Sequence, residues 1–344
     1  MVRVTIITAA GETVVAEQGR DGYEITAAKI HSELNSVSSA VLTFPETNIH
    51  VKALRNQNAV IAVYDDLARV FIGQVATAKT DIFGNMEVSA DGAMSWLQNI
   101  VKPPFSISGN LSVSEYLSRI INQYNDGADG TRQLSVGGVT VSGNVTVDHD
   151  EYTNTLDLLR ELIDNHGGYI FESAGTRDKL PSISYINNPI ASNQILEFGV
   201  NERSLEDALD FSDYASRVYG VGANGITAYA IDAQAEDAFG RKDYAIKSNA
   251  ETVQELTVEV NAELETRKAP VRTMTLSAAD LADMNHTYKA FNVGTIATAK
   301  DRNLGLDVAL IVNATERDLI NRMDSTVTFG KPPVSVARIL VKGG

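Results

Sequence analysis

The sequence predicts a mainly β fold with α+β insertions. The first hundred residues consist of short runs of β-forming residues, spaced about ten residues apart and separated by turn residues, a spacing typical of an antiparallel barrel or sandwich. Two amphipathic helical segments follow between residues 105 and 195, and β-type runs return from about Ile195. We therefore expect a β region, a small α+β unit and a second β region.

In the first region, the runs predicted as strands are Val2–Thr8, Glu24–Ile30, Ala40–Phe44, Ala59–Tyr64 and Val70–Ala76. A short helix is predicted next, with Asp91 as its N-cap and with Trp96, Leu97, Ile100 and Val101 on one side. Residues 102–105 read Lys-Pro-Pro-Phe, and because a proline disfavours helical geometry in the residue before it, the helix is expected to end there.

The α+β unit opens with a capping box. Ser112 and Glu115 have the spacing at which each side chain can bond the other residue's amide. The apolar stripe that follows has helical periodicity and consists of Val113, Tyr116, Leu117, Ile120, Ile121 and Tyr124. A second helix is predicted from about Asn154 to Asn165, ending at Gly167 and burying Leu156, Leu159, Leu162 and Ile163. A strand is expected over residues 168–172.

In the second β region, Ser248 and Glu251 form another capping-box pattern, predicted to start a helix through Val253, Leu256, Val260 and Leu264. Ala269-Pro270 ends this helix, and strands resume toward the C-terminus. The predicted domains are residues 1–102, residues 103–196, and residues 197–344 with a helical excursion at about 235–268.

The composition argues against several classes of site and function. The 344 residues include no cysteine, which excludes disulfides, thiolate metal sites and a cysteine nucleophile and fits folding in a reducing cytosol. The formal net charge of −15 argues against a nucleic-acid binder, because such a surface repels phosphates. The N-terminal residues are interpreted as a first strand and not a signal peptide, and no apolar run is long enough to span a membrane.

Gly220, Gly222 and Gly225 have the G-x-G-x-x-G spacing of a dinucleotide-binding turn. That motif binds a nucleotide only where it ends a strand and opens a helix. The residues that follow, Ile226–Ile231, are β-formers without a helical stripe. We therefore predict a strand–turn–strand connection and no nucleotide site.

Residues 147–151, Val-Asp-His-Asp-Glu, form a dense cluster of side chains that could bind a metal. On a strand, Asp148 and Asp150 would share a face and could hold a divalent cation through oxygen ligands. Because no partner cluster at ligand spacing accompanies them, we interpret the segment as a solvated acidic connector and assign no metal site. His166 lies at the end of the second predicted helix, where a cation suits the helix dipole, and it is interpreted as having a capping role and not a catalytic one. The other histidines (His31, His50 and His286) lie in no catalytic pattern, so no catalytic residue or cofactor is assigned.

The two β regions show a faint internal repeat. Ile61-Ala62 lies 20 residues before Asp81-Ile82, and Ile296-Ala297 lies 22 residues before Asp318-Leu319, with a methionine five residues after each aspartate. The repeat predicts that one chain carries two related barrels.

The order of segments identifies a family. A helix runs into GGYIFES at 167–173, FSDYASRVYGVGANG follows at 211–225, and a capped helix reaches RKAPV at 267–271. The chain closes with FNVGTIATA at 291–299 and RDLINRMDSTVTFGKPP at 317–333. This order resembles the phage tail hub family, which includes the baseplate hub of contractile tails and the N-terminal structural region of tail-associated lysins.

The resemblance implies a homotrimer of subunits with two tube-like barrels each, placed at the tail tip or baseplate of a virion and assembled in the bacterial cytoplasm. Such a ring caps the tail tube, contacts a tail tube or distal tail protein, and carries a central spike or fibre. The family's hubs have no catalytic residues, so no enzyme activity is expected. Two alternatives stay open: a cell-wall or polysaccharide hydrolase of a phage tail, and a β-rich carbohydrate-binding adhesion module.

Overall fold

The computed structural model describes residues 1–56, 59–187, 190–197, 202–278, 291–301 and 306–330. These residues form two compact units, one from the described parts of Met1–Ser204 and Leu276–Gly344 and the other from Leu205–Thr275. The elements up to residue 186 are β1 (Val2–Thr8), β2 (Gly11–Glu17), β3 (Ala27–Glu33), β4 (Ser39–Phe44), β5 (Val60–Asp65), β6 (Ala68–Thr80), β7 (Met86–Gly92), β8 (Val101–Lys102), β9 (Phe105–Ser112), α1 (Val113–Gly127), β10 (Ser135–Val139), β11 (Asn144–His149), β12 (Thr153–Asn154), α2 (Thr155–His166), β13 (Tyr169–Ser173) and β14 (Ser182–Ile186).

The elements after residue 186 are β15 (Ile190–Glu197), β16 (Glu202–Asp210), β17 (Arg217–Val221), β18 (Thr227–Ile231), α3 (Ala233–Phe239), β19 (Asp243–Lys247), α4 (Val253–Arg267), β20 (Val271–Ala278), β21 (Thr295–Asp301), β22 (Leu306–Asp318) and β23 (Thr326–Gly330). Short 3₁₀ helices occur at Ile49–Arg55, Ala93–Gln98, Ala223–Gly225 and Arg322–Asp324. The predicted mainly β fold is confirmed.

The largest sheet contains strands from both β regions of the sequence. Its order is β16-β20-β23-β22-β3-β4-β7-β6-β5-β1-β2, and β21 pairs with β22 and β15 outside that path. The two regions meet where β3 pairs antiparallel with β22, from Glu33 opposite Ala314 to Lys29 opposite Asp318. The closure of each region into a barrel stays a prediction, as do the domain boundaries after residues 102 and 196.

Helix α1 forms as its sequence predicts. The Ser112 hydroxyl accepts a hydrogen bond from Glu115 N at 3.2 Å, and Glu115 Oε2 accepts one from Ser112 N at 3.0 Å. The capping box therefore satisfies amides that an uncapped helix leaves without partners. All six predicted stripe residues are buried. They pack with α2, the 3₁₀ helix Ala93–Gln98 and strands β13 and β14 in one core cluster.

Helix α2 also follows its prediction. Asn154 caps its N-terminus, and the helix ends where Gly167 adopts a φ of 65°, a conformation that favours glycine. The buried residues include Leu158, which lies outside the predicted stripe, whereas Ile163 is only partly buried. The face that α2 presents to the core is therefore rotated slightly from the predicted one.

The predicted N-cap at Asp91 is wrong. β7 continues through Asp91, which pairs with Ser39 of β4 and Gln74 of β6. The 3₁₀ helix Ala93–Gln98 then receives its acceptor from β13, because Glu172 Oε2 accepts a hydrogen bond from Met94 N at 2.5 Å. The residue that caps this helix is thus distant in the sequence, where a local pattern cannot reveal it.

Glu172 joins the α+β region to the large sheet. Its Oε1 accepts hydrogen bonds from Ser38 N at 2.8 Å and from the Ser38 hydroxyl. Burial raises the pKa of the Glu172 carboxyl above its usual range and outweighs the hydrogen bonds from Ser38 and Met94, which act in the opposite direction. The charge of Asp91, whose own pKa burial also raises, adds to the effect.

These pKa shifts predict a pH dependence of stability. A carboxyl whose pKa is higher in the folded than in the unfolded chain stabilises the fold as it takes up a proton. We expect Glu172 to make wild-type protein more stable relative to Glu172→Gln as the pH falls from 7 toward 5, by at most about 1.4 kcal/mol per pH unit. Urea denaturation of both proteins at pH 7 and pH 5 measures this difference. The exposed Glu87→Gln variant is the control, and an equal difference between wild type and Glu172→Gln at the two pH values would contradict the prediction.

In the second unit, β17 lies between β18 and β19, and α4 packs on one face of this sheet. The contact is made by Leu256, Val260 and Leu264 of α4, all predicted as its apolar positions, with Val218 and Ala230 of the sheet.

The predicted capping box at Ser248 and Glu251 is wrong. The box is formed four residues later by Thr252 and Glu255, because the Ser248 hydroxyl accepts a hydrogen bond from Ala250 N and holds the preceding turn instead.

Candidate assembly surface

The segment considered for metal binding lies at the end of β11. His149 Nε2 is 3.3 Å from Glu161 Oε2 of α2, and the His149 ring lies against Phe105, with ring centroids 5.2 Å apart. Within the part of the chain that the structure describes, no group of three or more His, Asp or Glu side chains could hold a metal ion. Asp148 and Asp150 therefore have no further ligand in that part, and the segment contacts α2.

The other described histidines have separate contacts. His50 stacks on Tyr23 with ring centroids 4.0 Å apart, and His31 Nε2 is 3.6 Å from Glu33 Oε2. His166 lies in the last turn of α2, as predicted, where a positive charge suits the helix dipole. His286 lies outside the described residues. The contacts of the described histidines are with aromatic rings, carboxylates and a helix end.

The three glycines lie in or beside a connection between antiparallel strands, as predicted. β17 ends at Val221, the 3₁₀ turn Ala223–Gly225 follows, and β18 begins at Thr227. Gly225 has a φ of +76°, and a Cβ on Gly220 would lie 2.5 Å from Val260 Cγ2 of α4. A strand follows the last glycine, so this turn lacks the helix N-terminus that a dinucleotide site needs.

Buried titratable groups bond to other parts of the protein. Lys102 Nζ donates to Ile120 O at 3.0 Å, and burial lowers the pKa of Lys102 to about 8. The Tyr64 hydroxyl donates to Glu12 Oε1 at 2.8 Å, and burial raises the pKa of Tyr64 to about 12. Arg69 Nε donates to Ala174 O at 2.8 Å. Each of these groups connects separate segments of the first unit, which is a structural role.

None of the described helices is long and apolar enough to cross a membrane.

In the structure, the two segments of the predicted repeat lie in strands with equivalent pairing. Ile61-Ala62 lies in β5 and Ile296-Ala297 in β21, and each of these strands pairs antiparallel with a strand of 13 residues, β6 or β22. In both long strands, pairing to the next strand is interrupted by one extra residue, Ala76 in β6 and Asn313 in β22. Each bulge lies five residues before the repeat's aspartate.

Both aspartates hold the turn that follows the long strand. Asp81 Oδ1 accepts hydrogen bonds from Phe83 N and Asn85 N, each at 2.9 Å. Asp318 Oδ1 accepts from Ile320 N at 3.0 Å and Asn321 N at 2.8 Å. Each turn therefore presents two large apolar side chains from a fixed backbone. We call them the first turn, Asp81–Asn85, and the second turn, Asp318–Arg322.

The two turns differ in exposure. Ile82 and Phe83 of the first turn are 93% and 72% exposed, whereas the corresponding Leu319 of the second turn is only 6% exposed and Ile320 is partly buried. The sequence repeat predicts the equivalence of the turns but carries no signal of this difference. Ile82 and Phe83 are adjacent apolar side chains exposed on a hydrogen-bonded turn, which makes this turn a candidate for contact with another molecule.

The long strands differ in the same way. Residues 314–318 of β22 pair with β3 on one edge, and residues 314–316 also pair with β23 on the other. In the corresponding segment of β6, residues 77–80 pair with β7 and with no residue of β5, whose pairing reaches only as far as Gln74. Among the described strands, none pairs with the second edge of this β6 segment. The first turn and residues 76–80 therefore form one continuous surface, which we call the open edge.

Comparison with known proteins bears on the whole fold. Residues 190–339 match the family described as prophage endopeptidase tail. The 43 kDa tail protein of prophage MuSo2 from Shewanella oneidensis matches with a TM-score of 0.63 at 13% identity, over 98% of this chain and 99% of that one. The chain has the fold of phage tail proteins. The predicted resemblance to phage tail proteins is thereby confirmed.

Two further solved structures share this fold. Prophage tail protein gp18 from Listeria monocytogenes EGD-e matches with a TM-score of 0.59 at 13% identity, over 99% of this chain and 97% of that chain. A chain of the Francisella PdpA–VgrG complex matches with a TM-score of 0.52 at 11% identity, over 96% of this chain and 52% of that chain. No curated protein matches the chain by sequence. The phage-tail fold is therefore retained at low sequence identity.

Proposed function

We propose that this chain is a non-enzymatic hub of a phage or phage-derived tail. Three copies would close into a ring that caps the tail tube, contacts the tube or a distal tail protein, and connects it to a central spike or fibre. The observation that carries the proposal is the duplicated strand arrangement in one chain, within a fold that matches prophage tail proteins over 97% or more of both chains.

The duplication suits an adaptor between two symmetries. The sheet order contains two similar halves, β3-β4-β7-β6 with β5 beyond it and β16-β20-β23-β22 with β21 beyond it. Three copies would provide six such halves, which offers six near-equivalent faces to a sixfold tube and three faces to a threefold spike. A chain with one half would match only one of these symmetries.

Charge supports a ring through which DNA passes. Each Lys or Arg that contacts a phosphate adds to affinity through counterion release, so a passage for DNA should carry few of them. The net charge of −15 per chain is tripled in a trimer. We expect the channel wall to be richer in Asp and Glu than in Lys and Arg, which a structure of the assembled ring would measure. A wall dominated by Lys and Arg would contradict this expectation.

The description of the matched family includes an endopeptidase, which makes a hydrolase the second candidate. The chain has no cysteine, and His286 is the single histidine within residues 190–339. A Cys–His endopeptidase is thereby excluded, and a Ser–His or zinc endopeptidase in that range would have His286 as its one histidine. The scarcity of these residues favours a structural role. We expect no cleavage of peptidoglycan in a zymogram, and cleavage that His286→Ala abolishes would establish the hydrolase instead.

Electron microscopy of the purified protein tests the hub directly. We expect threefold rings with a central hole at high protein concentration, or after addition of the cognate tube protein where dilute protein is monomeric. A particle that stays monomeric under both conditions would overturn the proposal. Monomeric protein that binds a glycan array would favour the adhesion module.

A further inference from the structure

One contact inside the chain shows how a turn of this type is covered. Leu319 of the second turn packs in the core cluster of the first β region, and its N–H donates to Ala28 O of β3 at 2.8 Å. The preceding residues 314–318 pair with β3, and Arg322 forms an ion pair with Asp65 of β5. The second turn and the edge of β22 are thus bound together by the first half of the same chain.

The open edge likewise consists of a turn held by an aspartate and a strand segment, but no described strand pairs with it as β3 pairs with β22. Its turn is held by Asp81 as the second turn is held by Asp318, and its strand segment has the same length from bulge to aspartate. In the sheet order, the strand of the second half that corresponds to β3 is β16, since each begins its half. β16 ends the order of the described strands and so has one edge without a strand partner among them.

Charge distinguishes the open edge from its counterpart in β22. Glu316, two residues before Asp318, lies 3.8 Å from Lys29 of β3. The residue two before Asp81 is Lys79, of opposite charge, and the neighbouring 3₁₀ helix adds Lys52 and Arg55 in its last turn. The sequence of β16 carries one basic residue and four acidic residues, Glu202, Glu206, Asp207 and Asp210. Lys79 lies opposite Glu87 of β7, and Glu46 lies beside Gly84 of the first turn, so the open edge carries both signs of charge. Its three basic side chains correspond to a strand that is mainly acidic.

We propose that the open edge binds β16 of a second copy of this chain. β6 would pair antiparallel with β16 as β22 pairs with β3, and Ile82 and Phe83 would pack against the second copy as Leu319 packs within the chain. The contact is head to tail, because the two surfaces differ, and repetition of such a contact closes a ring when the rotation between copies permits it. The inference rests on the proposed hub function and names the surfaces that would close the ring.

The apolar pair provides the first test. Ile82→Asp combined with Phe83→Asp is expected to raise the dissociation constant of the trimer at least tenfold, because charged side chains would be buried at the contact. Sedimentation experiments measure this constant. The melting temperature should not change, since both residues are exposed in the single chain. Leu67→Asp is the matched control, because Leu67 is 94% exposed at the opposite end of β6 and should leave assembly intact. Wild-type-like assembly of the double variant would overturn the inference.

The absence of cysteine permits a second test that does not depend on affinity. A variant with both Lys79→Cys and Glu206→Cys should give covalent trimers with a bis-maleimide cross-linker, whereas each single variant should give no trimer, since one end of the contact then lacks a thiol. Rings that form without this cross-link would overturn the inference and leave the hub function standing. Wild-type protein that forms no ring under any condition would instead overturn the hub function.

Discussion

Trp96→Ala is expected to lower the free energy of unfolding of the first unit by about 3–5 kcal/mol. Trp96 has no exposed surface and lies in the core cluster that α1, α2 and strands β13 and β14 share. Its indole N–H makes no hydrogen bond with the described residues, so the expected loss comes from packing and the cavity left behind.

Urea denaturation followed by circular dichroism measures the effect of Trp96→Ala, because this variant removes the one tryptophan and its fluorescence. Trp96→Phe, which keeps most of the ring volume, should recover part of the stability. Val101→Ala is the surface control, since Val101 is exposed. A loss below about 1 kcal/mol for Trp96→Ala would show that the cluster is not packed as described.

Gly220→Val is expected to destabilise the second unit by about 3 kcal/mol, at the upper end of the cost of overpacking a core. A Cβ at this position would lie 2.5 Å from Val260 Cγ2 and 3.0 Å from Leu256 Cδ1, so α4 would have to move away from β17. The apolar contact of α4 with the sheet is the core of this unit, and the displacement would expose it.

Hydrogen exchange resolved by peptide separates this effect from a global one. Protection should fall in β17, β18 and α4 of Gly220→Val, with α1 and α2 unchanged. Gly225→Asn is the matched control within the same motif, because Gly225 has no neighbour near its Cβ position and asparagine tolerates a positive φ. Unchanged protection of α4 in Gly220→Val would mean that the helix does not lie as close to the strand as described.

The elements that the sequence predicted best are those whose determinants are local. α1 is defined by a capping box and an apolar stripe within thirteen residues, and both are present in the structure. The 3₁₀ helix after β7 was predicted with the wrong cap because its acceptor, Glu172, belongs to another strand. At Ser248 and Thr252, two capping patterns compete within a few residues, and the sequence alone does not rank them.

At the candidate assembly surface, too, the sequence predicts the local structure but not the long-range contacts. The repeat predicted that Asp81 and Asp318 occupy equivalent positions, because each aspartate acts on amides of its own turn. Whether the apolar pair beside each aspartate is covered depends on β3, which lies next to β22 and not next to β6. Burial of Leu319 and exposure of Ile82 are therefore decided by long-range pairing, of which neither turn carries a signal.

The pairing of β3 with β22 also determines how long one edge of β3 stays unpaired during synthesis. The two strands are separated by nearly the whole chain, so β3 leaves the ribosome long before its partner exists. At about 5–20 residues per second, synthesis of the intervening chain takes on the order of 15–60 seconds. During that interval the nascent chain presents an unpaired β edge, which is a template for aggregation. Co-expression of a holding chaperone, which covers such an edge until the partner strand exists, should therefore raise the soluble yield.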